Sequence, residues 1–140
     1  MIRKYITNDM NLVDVQKEQI HELKNGIDFF NYIEAYTLVE EGEILGVFGF
    51  DKISDETVQC FALLGKNSGK KIIELVRFLK KEIYEKMKKL KIKKVFMTVK
   101  NDFYQAHRMA EILEFRVVKK LPLFFDGYDY CLYERSLVWH

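Results

Sequence analysis

The chain has 140 residues, 23 Lys and Arg against 21 Asp and Glu, a formal net charge of +2, and 49% apolar residues. That length predicts one domain, 1–140, with enough apolar material for a core, and so even a charge balance argues against nucleic acid as the partner. The two cysteines lack C-x-x-C spacing, the three histidines show no ligand spacing, and no apolar run is long enough to cross a bilayer. The start, MIRKYITND, has no signal-peptide apolar core, so the expectation is a cytoplasmic chain with no metal and no membrane contact.

Met1 to Thr7 reads as a first strand. Asn8 and Asp9 are N-cap types, and a polar helix is expected from there through Lys24, ended by Asn25-Gly26. Ile27 to Tyr32 is ambiguous and suits a second short helix. EAYTLVE and EILGVFGFDKI flank the hairpin turn Glu41-Gly42, and TVQCFALL follows a turn at Ser54-Asp55-Glu56, which together make an antiparallel meander from Glu34 to Leu64.

Ile72, Leu75, Val76, Leu79, Ile83, Met87 and Leu90 recur at helical spacing and mark the longest helix. KKVFMTV reads as a buried strand. Asp102 with Gln105 has capping-box spacing for a helix whose apolar stripe is Phe103, Ala106, Met109, Ala110 and Leu113. RVVKKLPLFF and YDYCLYERSLVW are two further strands around Asp126-Gly127, and Pro122 marks the first of them as an edge or a bend. The order is β-α-(α)-β-β-β-α-β-α-β-β, an α/β chain of the mixed-sheet α+β type.

One stretch conflicts with local electrostatics. In LGKNSGKK, Leu64 to Lys71, two lysines stand in the first turn of the long helix, where the helix dipole is positive. Two readings stand: solvated lysines behind a Ser68 N-cap, or an anion site made of loop amides and the side chains of Lys66, Lys70 and Lys71. The P-loop pattern G-x-x-x-x-G-K-[ST] is missed, since Gly65 and Gly69 enclose three residues and Lys71 replaces the hydroxyl residue.

Topology and loop together resemble the GNAT superfamily of N-acetyltransferases over nearly the whole chain. In that family the fourth strand leads into a loop of pattern [QR]-x-x-G-x-[GA] that holds the pyrophosphate of coenzyme A. With Gly69 as the final small residue, Asn67 takes the earlier glycine position and Leu64 the Gln/Arg position. A second register sets Ser68-Gly69-Lys70-Lys71 against an arginine-glycine pair. The family also shows N-x-x-A-x-x-x-Y-x-x-x-G-F in the helix after the fifth strand. FYQAHRMAEILEF keeps Ala106 and Phe115, carries Phe103 in place of the asparagine with Asn101 two residues earlier, and has Ala110 where the tyrosine belongs. AHRMAEILEF looks most like short phage and prophage members.

The resemblance implies acetyl-CoA as the coenzyme, held by Leu64, Gly65, Lys66, Asn67, Ser68, Gly69, Lys70 and Lys71 with Asn101 and Arg108. It implies direct acetyl transfer to an amine on a small molecule or a protein, by a monomer or a homodimer. A backbone N–H of the strand Thr57–Leu64 would polarise the carbonyl. Glu56, or Asp55, is the candidate base, although the same residues suit a plain polar turn. With Ala110 at the tyrosine position, Tyr104 and His107 are the replacement acids, and His107 equally suits a flank residue with a local hydrogen bond. A catalytically degenerate protein of the same fold, with a binding or structural role, is the alternative. Cys60, inside an apolar strand, reads as an inert thiol, and the lysines of KMKKLKIKK as the solvated face of an amphipathic helix end.

Overall fold

The computed structural model describes residues 1–25, 30 and 33–138. The segment Ile27 to Tyr32, where a second short helix was an option, lies outside them except for Phe30 and is not assigned an element. Among the described residues there are seven strands: β1 (Ile2–Lys4), β2 (Glu34–Glu40), β3 (Glu43–Lys52), β4 (Thr57–Leu64), β5 (Lys94–Lys100), β6 (Arg116–Phe125) and β7 (Tyr128–Ser136). The helices are α1 (Ile20–Asn25), α2 (Ile72–Phe78), α3 (Tyr84–Lys89) and α4 (Tyr104–Ile112). The sheet runs β1-β2-β3-β4-β5-β7-β6. Its β4–β5 pair is parallel, which demands a crossover between them, and the helical run from Ile72 to Lys89 supplies it.

By compactness the chain divides into two units, Met1–Asp51 with Cys60–Arg77, and Lys52–Gln59 with Phe78–His140. In the first, Met10, Val13, Val15, Phe30, Ala35, Val47 and Leu63 form a buried apolar cluster. Beside it lies a charged tie. Arg3 on β1 reaches Asp9 through two nitrogens at 2.7 and 3.0 Å, Thr37 Oγ1 on β2 donates to the same carboxylate at 2.7 Å, and the Ile6 N–H donates at 2.8 Å.

This tie explains why the expected helix from Asp9 to Lys24 does not form. Asn8 sits at φ 78° with no side-chain cap, Asp9–Leu12 is a single 3₁₀ turn, and Val13 and Val15 turn into the core. A second 3₁₀ turn, Lys17–Gln19, leads into α1. A continuous helix could not bury Met10, Val13 and Val15 together while its first carboxylate stays with Arg3. The first strand is also shorter than Met1–Thr7, ending at Lys4.

In the second unit β5, β7 and β6 form an antiparallel ladder. The stripe expected on α4 is realised: Phe103, Ala106, Met109, Ala110 and Leu113 are all buried. The capping box is not. The α4 N-cap is Phe103, without a side-chain cap, and the Asp102 carboxylate turns to Lys100 Nζ at 3.1 Å. The long helix forms with one irregularity, a π turn at Leu79–Ile83 that joins α2 to α3. Leu75, Ile83 and Met87 are buried along it, while Leu90 is exposed.

Candidate functional site

Ligands of open α/β sheets bind beyond the carboxyl ends of the strands, so the residues after β4 and after β5 are the ones to examine. The first group lies in the first unit. The end of β4 is fixed by side chains from the segment before α1: Gln19 accepts from the Leu64 N–H at 2.8 Å and donates to the Ala62 carbonyl at 2.7 Å. Leu64 is therefore not a source of a spare amide. The Gly65 N–H donates to the Leu45 carbonyl at 2.8 Å and the Lys66 N–H to the Asp14 carbonyl at 2.9 Å. Those of Ser68 and Lys70 go to the carbonyls of Gly65 and Asn67 at 3.1 and 3.2 Å. Gly65 is thus a close-approach glycine of the core, more than an anion-binding one.

The two lysines at the helix start have different surroundings. Lys71 Nζ lies 3.2 Å from Glu40 and 4.0 Å from Glu74. The hydrogen bond and charge of Glu40 raise the Lys71 ammonium above the ordinary lysine range. Lys66 pairs with Asp14 at 3.5 Å, and Asn67 donates to Glu43 at 3.0 Å. The electrostatic conflict at Lys71 is therefore relieved by carboxylates from the hairpin and from the helix itself. Lys70 is exposed and has no ion pair among the described residues.

Ser68 is not the N-cap. Ser68–Lys71 is a 3₁₀ turn preceded by Asn67, and neither residue makes a capping side-chain bond. Instead the Ser68 hydroxyl is wholly buried, and among the described residues it is the buried side-chain oxygen with no hydrogen-bond partner. Such a group costs about 1–3 kcal/mol. In a loop that carries Lys70 and Gly69 beside it, this orphaned donor fits an anionic ligand such as a coenzyme phosphate. The amides of Gly65, Lys66, Ser68 and Lys70 do not add to that fit.

The second group surrounds the β5–α4 junction in the second unit. His107 is held at both ring nitrogens. Nε2 faces the carbonyls of Lys100 and Asn101 at 3.1 and 3.0 Å, so in the neutral ring Nε2 carries the proton and donates. Nδ1 then accepts from the Tyr133 hydroxyl at 2.7 Å. Tyr133, on β7, is buried, and burial raises its phenol above the usual tyrosine range. Lys100 is also buried, its ammonium balanced by Asp102 and lying 4.3 Å from the centre of the Tyr128 ring. Asn101 accepts from Cys131 Sγ at 3.6 Å.

Of the sequence candidates, this junction brings together His107, Asn101 and Tyr104. The Tyr104 ring, 77% exposed, lies 6.5 Å from the His107 ring. Arg108 is exposed on the same helix. Glu56 is elsewhere: it precedes β4, pairs with Lys93 at 3.1 Å, and accepts the Lys93 and Lys94 N–H groups on its carbonyl. That is the amino end of the strand, not the end at which ligands bind. Burial pushes the Cys60 thiol up to about 12, so the partly exposed residue still carries a protonated, inert thiol. Lys93 and Lys94 of the lysine run pair with Glu56 and Glu134.

Tyr133 is not among the catalytic candidates of the sequence, which places it with Phe124, Phe125, Tyr128 and Tyr130 in an aromatic-rich end suited to a core, an acceptor site or a dimer contact. The signal was available in principle, since a tyrosine on a buried strand face needs a partner for its hydroxyl. Replacing Tyr133 by Phe is expected to leave His107 Nδ1 without a donor and to cost about 1–2 kcal/mol in thermal or urea unfolding.

No family model and no curated protein matches the sequence. The fold does match solved structures. It is similar to the GNAT-family acetyltransferase from Bacillus anthracis, at 15% identity over 96% of this chain and 93% of that one, with a TM-score of 0.71. It is similar to the ribosomal-protein-S18-alanine N-acetyltransferase from Escherichia coli, at 13% identity over 100% and 95%, TM-score 0.72. It is also similar to yncA from Salmonella typhimurium, solved with its cofactor acetyl-CoA, at 15% identity over 100% and 95%, TM-score 0.68. The fold is that of the GNAT acetyltransferases; at these identities the likeness defines the fold and leaves the chemistry to this chain's own residues. Among the described residues no helix is long and apolar enough to cross a membrane.

Proposed function

We propose that this protein is a cytoplasmic N-acetyltransferase that passes an acetyl group from acetyl-CoA directly to the amine of a small molecule or a protein. The fold supports the class of reaction, and the observation that carries the coenzyme reading is the buried, unpartnered Ser68 hydroxyl in the loop after β4. Acetyl-CoA, when bound, supplies the thioester. Ser68 and Lys70 are the residues that would hold its phosphates, by a donated hydrogen bond and a positive charge. The amine attacks the carbonyl, the C–N bond forms, the C–S bond breaks, one proton leaves the amine and one joins the sulfur.

His107 and Tyr133 are the pair best arranged to hold a proton near the β5–α4 junction, with Tyr104 exposed beside them. They stand in for the tyrosine that Ala110, fully buried on the core side of α4, does not provide. A protein that binds the coenzyme without transferring acetyl is the second reading, and Ala110 is the observation that favours it.

Thermal melting with acetyl-CoA tests the binding. At a concentration of about 100 times Kd, mass action adds roughly 2.7 kcal/mol and raises Tm by several degrees. Unchanged melting at millimolar acetyl-CoA would sink the reading. Two variants identify the loop. Lys70→Glu is expected to leave the Tm of the ligand-free protein unchanged and to cut the ligand-induced rise. Ser68→Ala is expected to raise the ligand-free Tm, because a buried orphan donor costing about 1 kcal/mol or more is removed, while the acetyl-CoA rise shrinks. A serine with a purely structural role would not show that opposition. Release of free thiol over a panel of amines then separates transfer from binding alone.

A further inference from the structure

The tip of the β2–β3 hairpin carries three carboxylates in four residues, Glu40-Glu41-Gly42-Glu43. Glu40 is paired with Glu43 directly across the ladder, and the turn residues Glu41 and Gly42 hold them there at φ 49° and 81°. Like charges set opposite each other on one face of a hairpin repel. A turn of this shape asks only for central residues that tolerate positive φ, so the hairpin itself requires neither Glu40 nor Glu43.

The loop after β4 supplies what offsets the repulsion. Glu40 takes Lys71 Nζ at 3.2 Å, and Glu43 accepts from Asn67 Nδ2 at 3.0 Å. Both contacts tie the hairpin to the 3₁₀ turn Ser68–Lys71 and to the residue that precedes it. In a 3₁₀ turn, side chains three residues apart lie one above the other. Lys71 therefore shares a face of the turn with Ser68, whose buried hydroxyl has no hydrogen-bond partner. A phosphate that accepts from that hydroxyl arrives beside Lys71 and in the field of Glu40. The ammonium attracts it, but the carboxylate already holds that ammonium and repels the phosphate. The side chains of Lys71 and Glu40 are 33% and 31% exposed. An ion pair so open to solvent is weak, and a phosphate is a competent rival for it.

We infer that Glu40 is an internal competitor of the coenzyme, holding Lys71 in an ion pair that a phosphate of acetyl-CoA must displace. Lys71 then joins Ser68 and Lys70 as a phosphate ligand only when it leaves Glu40, and the hairpin tip sets the affinity of the loop. The inference rests on the coenzyme reading of the loop and adds to it a regulating residue on β2.

Calorimetric titration of the full chain with acetyl-CoA tests it. Glu40→Gln is expected to tighten Kd about fivefold, because the rival for Lys71 is removed. Glu41→Gln takes the same charge from the same turn, but from a residue with no ion pair among the described residues, and is expected to change Kd by less than about twofold. In a Lys71→Gln background, Glu40→Gln is expected to shift Kd by no more than about twofold, because the two residues act through one contact. All four proteins should melt close together without ligand, since the pair is exposed. Equal tightening by Glu40→Gln and Glu41→Gln, or tightening that persists without Lys71, would be an effect of diffuse charge and overturns the competition. A wild type that binds acetyl-CoA as tightly as Glu40→Gln overturns it too, and leaves the coenzyme reading standing. Binding by Glu40→Gln where the wild type shows none supports both. If neither binds at millimolar acetyl-CoA, the coenzyme reading falls and the competition falls with it.

Discussion

Replacing Asp9 by Ala is expected to remove about 3 kcal/mol of stability, which for a chain of this size lowers Tm by about 10 °C. The carboxylate is almost fully buried and accepts four hydrogen bonds, two from Arg3, one from Thr37 and one from the Ile6 N–H. Truncation leaves a partly buried guanidinium, a fully buried threonine hydroxyl and a backbone donor unanswered at once, and the desolvation already incurred is not recovered. Asp9→Asn keeps the shape and one acceptor oxygen and is expected to cost roughly half as much.

The same site sets an acid dependence. Burial by itself raises the Asp9 carboxyl, but the hydrogen bonds from Arg3, Thr37 and Ile6 and the charge of Arg3 outweigh it and hold the group below the usual carboxylate range. A native pKa below the unfolded value of about 3.9 means stability that is fully present above about pH 4 and lost as pH falls through the native value. Wild-type Tm should therefore fall more steeply toward pH 3 than that of Asp9→Asn. Parallel pH profiles for the two proteins would show that Asp9 does not titrate in the way its partners require.

The parts of the fold that local chemistry dictates were the parts legible in the sequence. β2 and β4 begin and end where alternation and turn residues put them, at Glu34–Glu40 and Thr57–Leu64. The turns Glu41-Gly42 and Asp126-Gly127 carry positive φ at both residues, as two-residue hairpins require. The α4 stripe follows from its spacing alone. What failed was whatever depended on a distant partner. Asn8-Asp9 looks like a helix start until Arg3 and Thr37 claim the carboxylate. Asp102 looks like a capping residue until Lys100 claims it.

The candidate site divides in the same way. Its location after β4 follows from the order of strand and helix, so the loop could be placed. The roles inside the loop could not, because Glu40, Asp14 and Glu43 come from other elements and take up Lys71, Lys66 and Asn67. The orphaned hydroxyl of Ser68 is a property of packing and has no sequence signature. Tyr133 and His107, 26 positions apart, meet only because β7 and α4 are neighbours.

Gly65→Ala is the second large effect expected, and it joins the stability of the loop to its proposed function. A Cβ at Gly65 would stand 2.6 Å from the Leu45 carbonyl oxygen and 3.3 Å from Val13 Cγ1. That oxygen is the one that accepts the Gly65 N–H at 2.8 Å, so backbone meets backbone and no rotamer relieves it. Either β4 pulls away from β3 at this point and loses the bond, or Val13 gives up its place in the core cluster. Overpacking of this kind costs about 1–3 kcal/mol. The shift continues into Lys66–Lys71, because Gly65 is also tied to Val15 by a bridge and the Lys66 N–H to Asp14. The variant should therefore melt several degrees lower and also lose the acetyl-CoA rise. Lys70→Glu loses only the rise, and Asp9→Ala only the stability, if the loop is the coenzyme site. A Gly65→Ala protein that melts with the wild type would mean that β3 and the loop do not approach this closely. One that melts low but keeps a full acetyl-CoA rise would place the coenzyme away from the loop and leave Gly65 a packing residue alone.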